Sequence, residues 1–355
     1  MDFSLPVYDR TKTYQWNYDH APSLGRDAIG NIEIAPVAGQ WDFCGLPVDS
    51  PLGVPAGPLL NGQWCLYYAA LGFDVLTYKT VRSCRRDCYP LPNLQPVRCG
   101  QLSGSDSRLE PTEPMEGSWA VSFGMPSTEP EIWRRDIERT REQLPVGKIL
   151  SVSVVGTIQQ DWTMTQLADD YAKCAAWAVE SGADCIETNF SCPNVSTCDG
   201  QLYQDCEQSR LVVQAVRDAI GDVPLILKIG HVMTSEDARS LLRAISGHAS
   251  ALAMTNSIAT TVGSTDSELL FQGEKRGICG AATREASIAQ VRLFAEAVAD
   301  TAINIKLIGV GGISEAAHVQ GFLDAGAHAC HLATAVMIDP MIGVNIRHQL
   351  SRGQS

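Results

Sequence analysis

Residues 149–190 read ILSVSVVGTIQQDWTMTQLADDYAKCAAWAVESGADCIETNF. Two apolar runs, Ile149 to Val155 and Ala183 to Phe190, enclose a segment with a different period. Within Thr163 to Ser181, the residues Leu167, Tyr171, Cys174, Ala175 and Val179 recur at helical spacing along one stripe. Gly182 follows, as a helix-ending glycine should. The flanking runs are almost continuously apolar rather than alternating, which is the mark of parallel strands covered on both faces. Strand, helix, strand is the βαβ unit.

The same rhythm extends in both directions. Upstream lie Leu52 to Pro58 (LGVPAGP) and Phe73 to Val81 (FDVLTYKTV). Downstream come Val223 to Ile229, Ala249 to Asn256, Ile303 to Val310 and His328 to Val336. A second helix is expected over Asp205 to Ile220, closed by Gly221, and another begins with Ser235 as its N-cap before Glu236 and Asp237. Eight such units predict a single (β/α)8 TIM barrel of the α/β class. An open doubly wound sheet is the runner-up, but no GxGxxG follows the first strand. The expected divisions are an N-terminal arm over 1–42, the barrel over 43–345 and a C-terminal tail over 346–355. Two stretches break the rhythm, 82–118 and 257–276, both rich in turn-forming and charged residues. They read as loop-like insertions over the C-terminal mouth of the barrel.

Composition narrows the function. The chain has 355 residues, a formal charge of −13, 45% hydrophobic and 19% charged residues. This excludes global disorder and speaks against nucleic acid or a polybasic membrane surface as partner. No stretch approaches the roughly twenty apolar residues that span a bilayer, and the N-terminus carries no signal-peptide pattern. A cytoplasmic location follows as the expectation, with its twelve cysteines mostly reduced.

In a parallel barrel, functional side chains sit at strand C-terminal ends. Those ends carry Lys79, Asn189 to Asn194, Lys228, Asn256, Gly311, Gly312, Ala333 and Thr334. A lysine inside an apolar strand is costly unless its charge is used, and two of them near one rim point to a site. The plainer reading is a pair of buried ion-paired lysines. The most specific stretch is ETNFSCPN, residues 187–194, in which Asn189 and Asn194 bracket Cys192. Side-chain amides donate and accept together, which suits a flat heterocycle edged with carbonyls and N–H groups. A cysteine on a mouth loop can act as nucleophile or general base. Cys84, Cys88 and Cys99 leave a three-cysteine metal site open, although no C-x2-C pair is present and no metal is expected. His328 and His331 read as packed rather than metal-bound.

LTYKT, NFSCPN, LILKIG, MTNS and IGVGGI, in that order and preceded by SPLGVPAGPLLNG, resemble the dihydroorotate dehydrogenase family. The likeness runs from about Phe43 to about Pro340. It is narrower still to soluble members that use cysteine as base, and residues 194–207 are also similar to the flavin domain of dihydropyrimidine dehydrogenases. The resemblance implies FMN as cofactor and a dihydropyrimidine as substrate. Cys192 would remove the C5 proton while the flavin N5 takes the C6 hydride. Lys79 would lie near the flavin edge and the substrate, with Thr80 beside it, and Lys228 would face the N1/O2 side of the ring. Asn189, Asn194, Asn256 and Ser257 would hold the pyrimidine, Asn189 also touching the flavin. Ala56 and Gly57 would let the ring approach the backbone. Gly280, Gly311, Gly312, Ala333 and Thr334 would cradle the phosphate. A homodimer and an electron-transfer partner subunit are implied too. With no membrane-associated N-terminal helix evident, a quinone is not the expected acceptor.

Departures from the family pattern bear on the substrate. A substrate-binding asparagine falls at Val121, with Ser122 next to it. Asn93 stands where an arginine is common, so Arg82, Arg85 or Arg86 could supply the missing cation. Ser153 occupies a position where relatives place a flavin-contacting asparagine, and Ala333 that of a glycine. Dihydroorotate is therefore the leading substrate, and dihydrouracil the alternative. A Schiff-base aldolase on Lys228 and a non-catalytic binding barrel are the readings from other classes.

Overall fold

The computed structural model describes residues 5–22, 32–103, 108–191, 198–264 and 269–352. Eight parallel strands close into a barrel. In chain order they are Leu52–Val54, Val75–Val81, Ile149–Val154, Cys185–Asn189, Leu225–Lys228, Ala251–Met254, Lys306–Val310 and Ala329–His331. Each falls inside one of the apolar runs of the sequence.

Alternation along a strand sends successive side chains to opposite faces, and the packing follows it. Leu76, Leu150, Val152, Ile186, Leu225 and Leu227 join the large core shared with the helices. Val75, Ile149, Cys185, Ile226, Ala251, Ile308 and Ala329 form a second apolar cluster inside the barrel, plugged by Phe43. Phe43 ends the strand Trp41–Phe43, which pairs antiparallel with Leu46–Val48. Further along the same inward face the residues turn polar. Thr77, Ser151, Ser153, Glu187 and Lys228 are all buried. The barrel is therefore apolar at its base and polar toward its mouth.

The helix of the opening βαβ unit, Met164–Glu180, starts with a capping box between Thr163 and Gln166. The helix expected to be capped by Ser235 is capped one residue earlier, because the Thr234 side chain accepts from the Asp237 N–H. The expected C-terminal tail is instead the last helix, Ile342–Arg352. Its Arg347 is buried and donates to Gly72 O at 2.6 Å and Ser50 Oγ at 3.0 Å while pairing with Asp74. That anchorage, with Val344 and Ile346 in the core, makes the segment structural.

The two segments expected as loops carry strands as well. Leu94–Arg98, Arg108–Pro111, Ser118–Val121, Ile258–Val262 and Arg276–Gly280 close on one another as a second, five-stranded sheet. It has its own core of Val97, Leu109, Ala120, Val262 and Ile278. Each strand is too short to announce itself, and one contains Pro96. The pairing that stabilises them joins distant segments, such as Val121 with Gly277.

The arm is bolted to the first barrel helix, Gly62–Ala70. Its short helix Tyr14–Asp19 receives Asn61 Nδ2 at Tyr18 O, 2.8 Å, and Trp64 Nε1 at Asn17 O, 3.3 Å. Among the described residues no helix is long and apolar enough to cross a membrane.

Candidate active site

The second barrel strand is entirely buried and delivers Lys79 and Thr80 to the mouth. The Lys79 ammonium sits between two aromatic faces, 5.7 Å from the Tyr14 ring centre and 5.8 Å from that of Phe123. Tyr14 and Phe123 in turn meet edge to face at 5.7 Å. Such faces attract a cation electrostatically, so arm and mouth together hold this lysine.

A cleft opens over the barrel and gathers residues that the sequence marked separately. Ala56, Gly57, Lys79, Thr80, Asn189, Lys228, Asn256 and Ser257 all line it. An adjoining cavity is lined by Gly280, Gly311, Gly312, Ala333 and Thr334. Asn256 and Cys279 line both, so the two spaces form one elongated trough. Gly311 and Gly312 have φ of +132° and +68°, values that favour glycine. Gly280 ends a strand of the second sheet, not of the barrel.

Ser153 is not on the trough wall. It is fully buried inside the barrel and bonds the Thr80 hydroxyl at 3.0 Å, supporting it from below. Asn189 donates to Met125 Sδ at 3.4 Å and accepts from the Ser191 N–H at 3.3 Å. Asn256 bonds both the Ser191 carbonyl and its hydroxyl, the latter at 3.1 Å. Two amides thus clamp the residue immediately before Cys192. Cys192 and Asn194 themselves lie outside the described residues.

The electrostatics centre on Lys228, which opposes Asn189 across neighbouring strands. Burial pushes the Glu187 carboxyl above its usual range, while Lys228 and a Ser153 hydrogen bond pull it down. Burial also pushes the Cys279 thiol up to about 11, with Lys228 opposing. His331, stacked on Phe43 at 5.7 Å, is lowered to about 3 by burial and then by Lys228. Glu187 Oε1 and both His331 nitrogens find no hydrogen-bond partner among the described residues.

The departures also acquire positions. Val121 lines the cleft. Asn93 does not; its amide donates to Tyr89 O at 2.9 Å and Ser122 O at 3.0 Å, pinning the insertion. Arg82 is fully buried and donates to Met125 O at 3.2 Å and Gly156 O at 2.9 Å, so it braces loops from beneath. Sequence reasoning missed Cys279, Met125, Phe123 and Tyr14. The first three belong to the second sheet and its connections, and Tyr14 reaches the site through tertiary packing that no local pattern shows. Among the described residues no three potential metal ligands converge, which separates Cys84, Cys88 and Cys99.

Comparison with known proteins follows the same line. The family model described as Dihydroorotate dehydrogenase matches residues 120–353. A dihydroorotate dehydrogenase of Dictyostelium discoideum is 32% identical over 96% of this chain and 96% of its own length. A dihydroorotate dehydrogenase (quinone) of Pseudarthrobacter chlorophenolicus is 32% identical over 94% of this chain and 91% of its own. The crystal structure of a dihydroorotate dehydrogenase from Eimeria tenella, in complex with ferulenol, shares the fold. Its TM-score is 0.69 at 17% identity, over 88% of this chain and 83% of that one. A closed parallel barrel, a trough at its mouth and relatives matched along nearly their whole length converge: the chain belongs to the dihydroorotate dehydrogenase family of flavin-dependent oxidoreductases.

Proposed function

We propose that this protein uses FMN to oxidise dihydroorotate to orotate. The observation that carries the reading is the continuous trough, with lysines at one end and a glycine cradle at the other. The residues fit the cofactor. A side chain at Gly57 would meet no protein atom within 4 Å, so the backbone there faces open space. At the other end the buried Thr334 hydroxyl has no partner among the described residues, beside the positive-φ backbone of Gly311 and Gly312, whose N–H groups would receive a phosphate. Ala56, Gly57, Thr80 and Lys228 would hold the ring, and Gly280 and Ala333 would complete the cradle. When bound, the flavin supplies the acceptor for the hydride leaving C6 of the dihydropyrimidine.

The chain's own residues do the rest. Cys192 takes the C5 proton as general base. Asn189, Asn194, Asn256 and Ser257 orient the pyrimidine. The clamp of Asn189 and Asn256 on Ser191 ties two of the substrate amides to the residue immediately before Cys192. Lys79 would offer its charge to the anionic substrate, and Lys228 would offer its own to the flavin ring, which gains negative charge when it is reduced. The second sheet covers the mouth and limits water.

Val121 supports a second reading. An apolar wall in place of an amide leaves the orotate ring short of a hydrogen bond, an effect of about 1–3 kcal/mol, and favours a dihydropyrimidine such as dihydrouracil. Relatives bear names that specify NAD(+) and quinone, so likeness does not select the acceptor. A cytosolic homodimer, with or without a partner subunit, completes the proposal, and sedimentation tests it.

The decisive experiment is anaerobic titration of the purified protein with dihydroorotate, dihydrouracil and dihydrothymine. A yellow protein bleached by dihydroorotate is expected, and Cys192→Ala should stay yellow without bleaching. Bleaching by dihydrouracil alone transfers the assignment to the second reading. A colourless protein that refuses FMN ends both.

A further inference from the structure

Behind Lys79 lies another cavity, of about 380 Å³, a half-open cleft between the arm helix, the second barrel strand and the first insertion. Its volume is in the range of small-molecule sites. We propose that it is a second ligand site, for a planar aromatic carboxylate, distinct from the trough and backing onto it through Lys79.

The walls select a flat ring. Tyr14, Tyr18 and Trp133 present aromatic surface to the space, and such rings bind another ring by offset or edge-on contact. The charges select an anion. Lys79, Arg85, Arg86 and Asp87 are the charged residues that line it, an excess of positive charge in a chain of −13. Asp87 is already paired with Arg85 at 3.0 Å. Arg86 is half-buried, and its backbone bridges Ser127 in both directions at 2.9 Å. Among the described residues its guanidinium makes no hydrogen bond or ion pair. A half-buried guanidinium beside aromatic walls is a fork ready for a carboxylate.

The position also couples the two spaces. Lys79 and Thr80 line both, and Tyr14 is at once a wall of this cavity and the face over the Lys79 ammonium. An occupant resting on Tyr14 changes the surroundings of Lys79 and so acts on the flavin site. This coupling rests on the proposed role of Lys79; the binding itself does not.

Calorimetric titration of the FMN-loaded protein with 2-naphthoate, orotate being saturating, tests the proposal, with 2-naphthamide as the uncharged ring. Naphthoate should bind with orotate present and perturb the flavin spectrum. Arg86→Gln should weaken naphthoate by about tenfold or more and leave naphthamide unchanged. That variant keeps the backbone bridge to Ser127, and an unchanged melting temperature verifies its fold. Binding that disappears as orotate saturates, equal affinity in Arg86→Gln, or no binding at millimolar naphthoate each overturns it. A protein that takes neither FMN nor orotate would sink the functional reading instead, and naphthoate titration of that colourless protein would still judge the cavity.

Discussion

The two ends of the barrel bury similar polar groups and treat them in opposite ways. At the base, Asp74 is fully buried and fully answered. It accepts from Ser50 Oγ at 2.5 Å and pairs with both Lys148 and Arg347. The remaining Arg347 donors go to backbone carbonyls of Gly72 and Ala35. Toward the mouth, Thr77, Ser151, Glu187 and Thr255 have side-chain atoms with no hydrogen-bond partner among the described residues, below a trough lined by Lys79 and Lys228. Buried charge closed off by its own partners fastens elements together. Buried polarity that the protein leaves unsatisfied marks where another molecule belongs, because an unmet donor or acceptor is expensive to maintain for packing alone.

The largest expected effect tests that division directly. Asp74→Asn leaves Lys148 and Arg347 facing a neutral side chain, and breaking a buried pair this way costs about 3–5 kcal/mol. Urea unfolding should show that loss, while the folded fraction keeps its flavin. Lys228→Met should do the reverse, costing clearly less stability than Asp74→Asn but retaining little flavin after gel filtration. If Lys228→Met destabilises as much as Asp74→Asn, the two ends are not different in kind.

His331 lies between the two zones, stacked on the Phe43 plug and within the field of Lys228. Its folded-state value near 3 is depressed below the ordinary 6.5, so the unfolded chain takes up a proton that the folded chain refuses. The stability this neutral ring sustains is present above about pH 6.5 and is lost as pH falls toward 3. Between pH 7.5 and pH 5 the loss from this group should be about 2 kcal/mol. Urea midpoints at the two pH values should show it in the parent and not in His331→Phe. Equal acid sensitivity in both proteins would assign the loss elsewhere. Glu187 gives the opposite slope. Its raised value makes its contribution greatest below the usual carboxylate range and lost as pH rises through the folded-state value, and Glu187→Gln should remove that decline.

The base and the mouth also differ in how far the sequence reveals them. All eight barrel strands were readable because each is an apolar run long enough to stand out, and Lys79 and Lys228 were readable because a charge inside such a run is conspicuous. The Asn189 and Asn256 pair was readable as chemistry, although its clamp on Ser191 was not. The second sheet escaped because its strands are stabilised by partners far along the chain, as when Ser118–Val121 pairs with both Leu94–Arg98 and Arg276–Gly280. The inward direction of Ser153 was within reach of the sequence. It shares strand parity with Ser151 and Ile149, which puts it on the inward face beneath Thr80. The final helix could have been found from Ile342 and Ile346, four residues apart and on one face.

The smallest expected effect probes the one place where the arm meets the chemistry. Tyr14 meets the site through the face it turns to the Lys79 ammonium, 5.7 Å away, and through its edge contact with Phe123, and a desolvated contact of the first kind contributes about 1–2 kcal/mol. Tyr14→Leu should lower the rate of flavin reduction about tenfold and lower the flavin potential, because a less firmly held cation balances less negative charge on the reduced ring. Tyr14→Phe keeps the aromatic face and should restore both. A contribution of the arm to folding alone would move the melting temperature and leave the potential in place. Phe123→Leu removes the opposite face, 5.8 Å from the same ammonium, without disturbing the arm helix. A drop in potential there too would locate the effect in the aromatic enclosure of Lys79, whereas a potential unmoved by either leucine variant would reduce the arm to a strap across the first barrel helix.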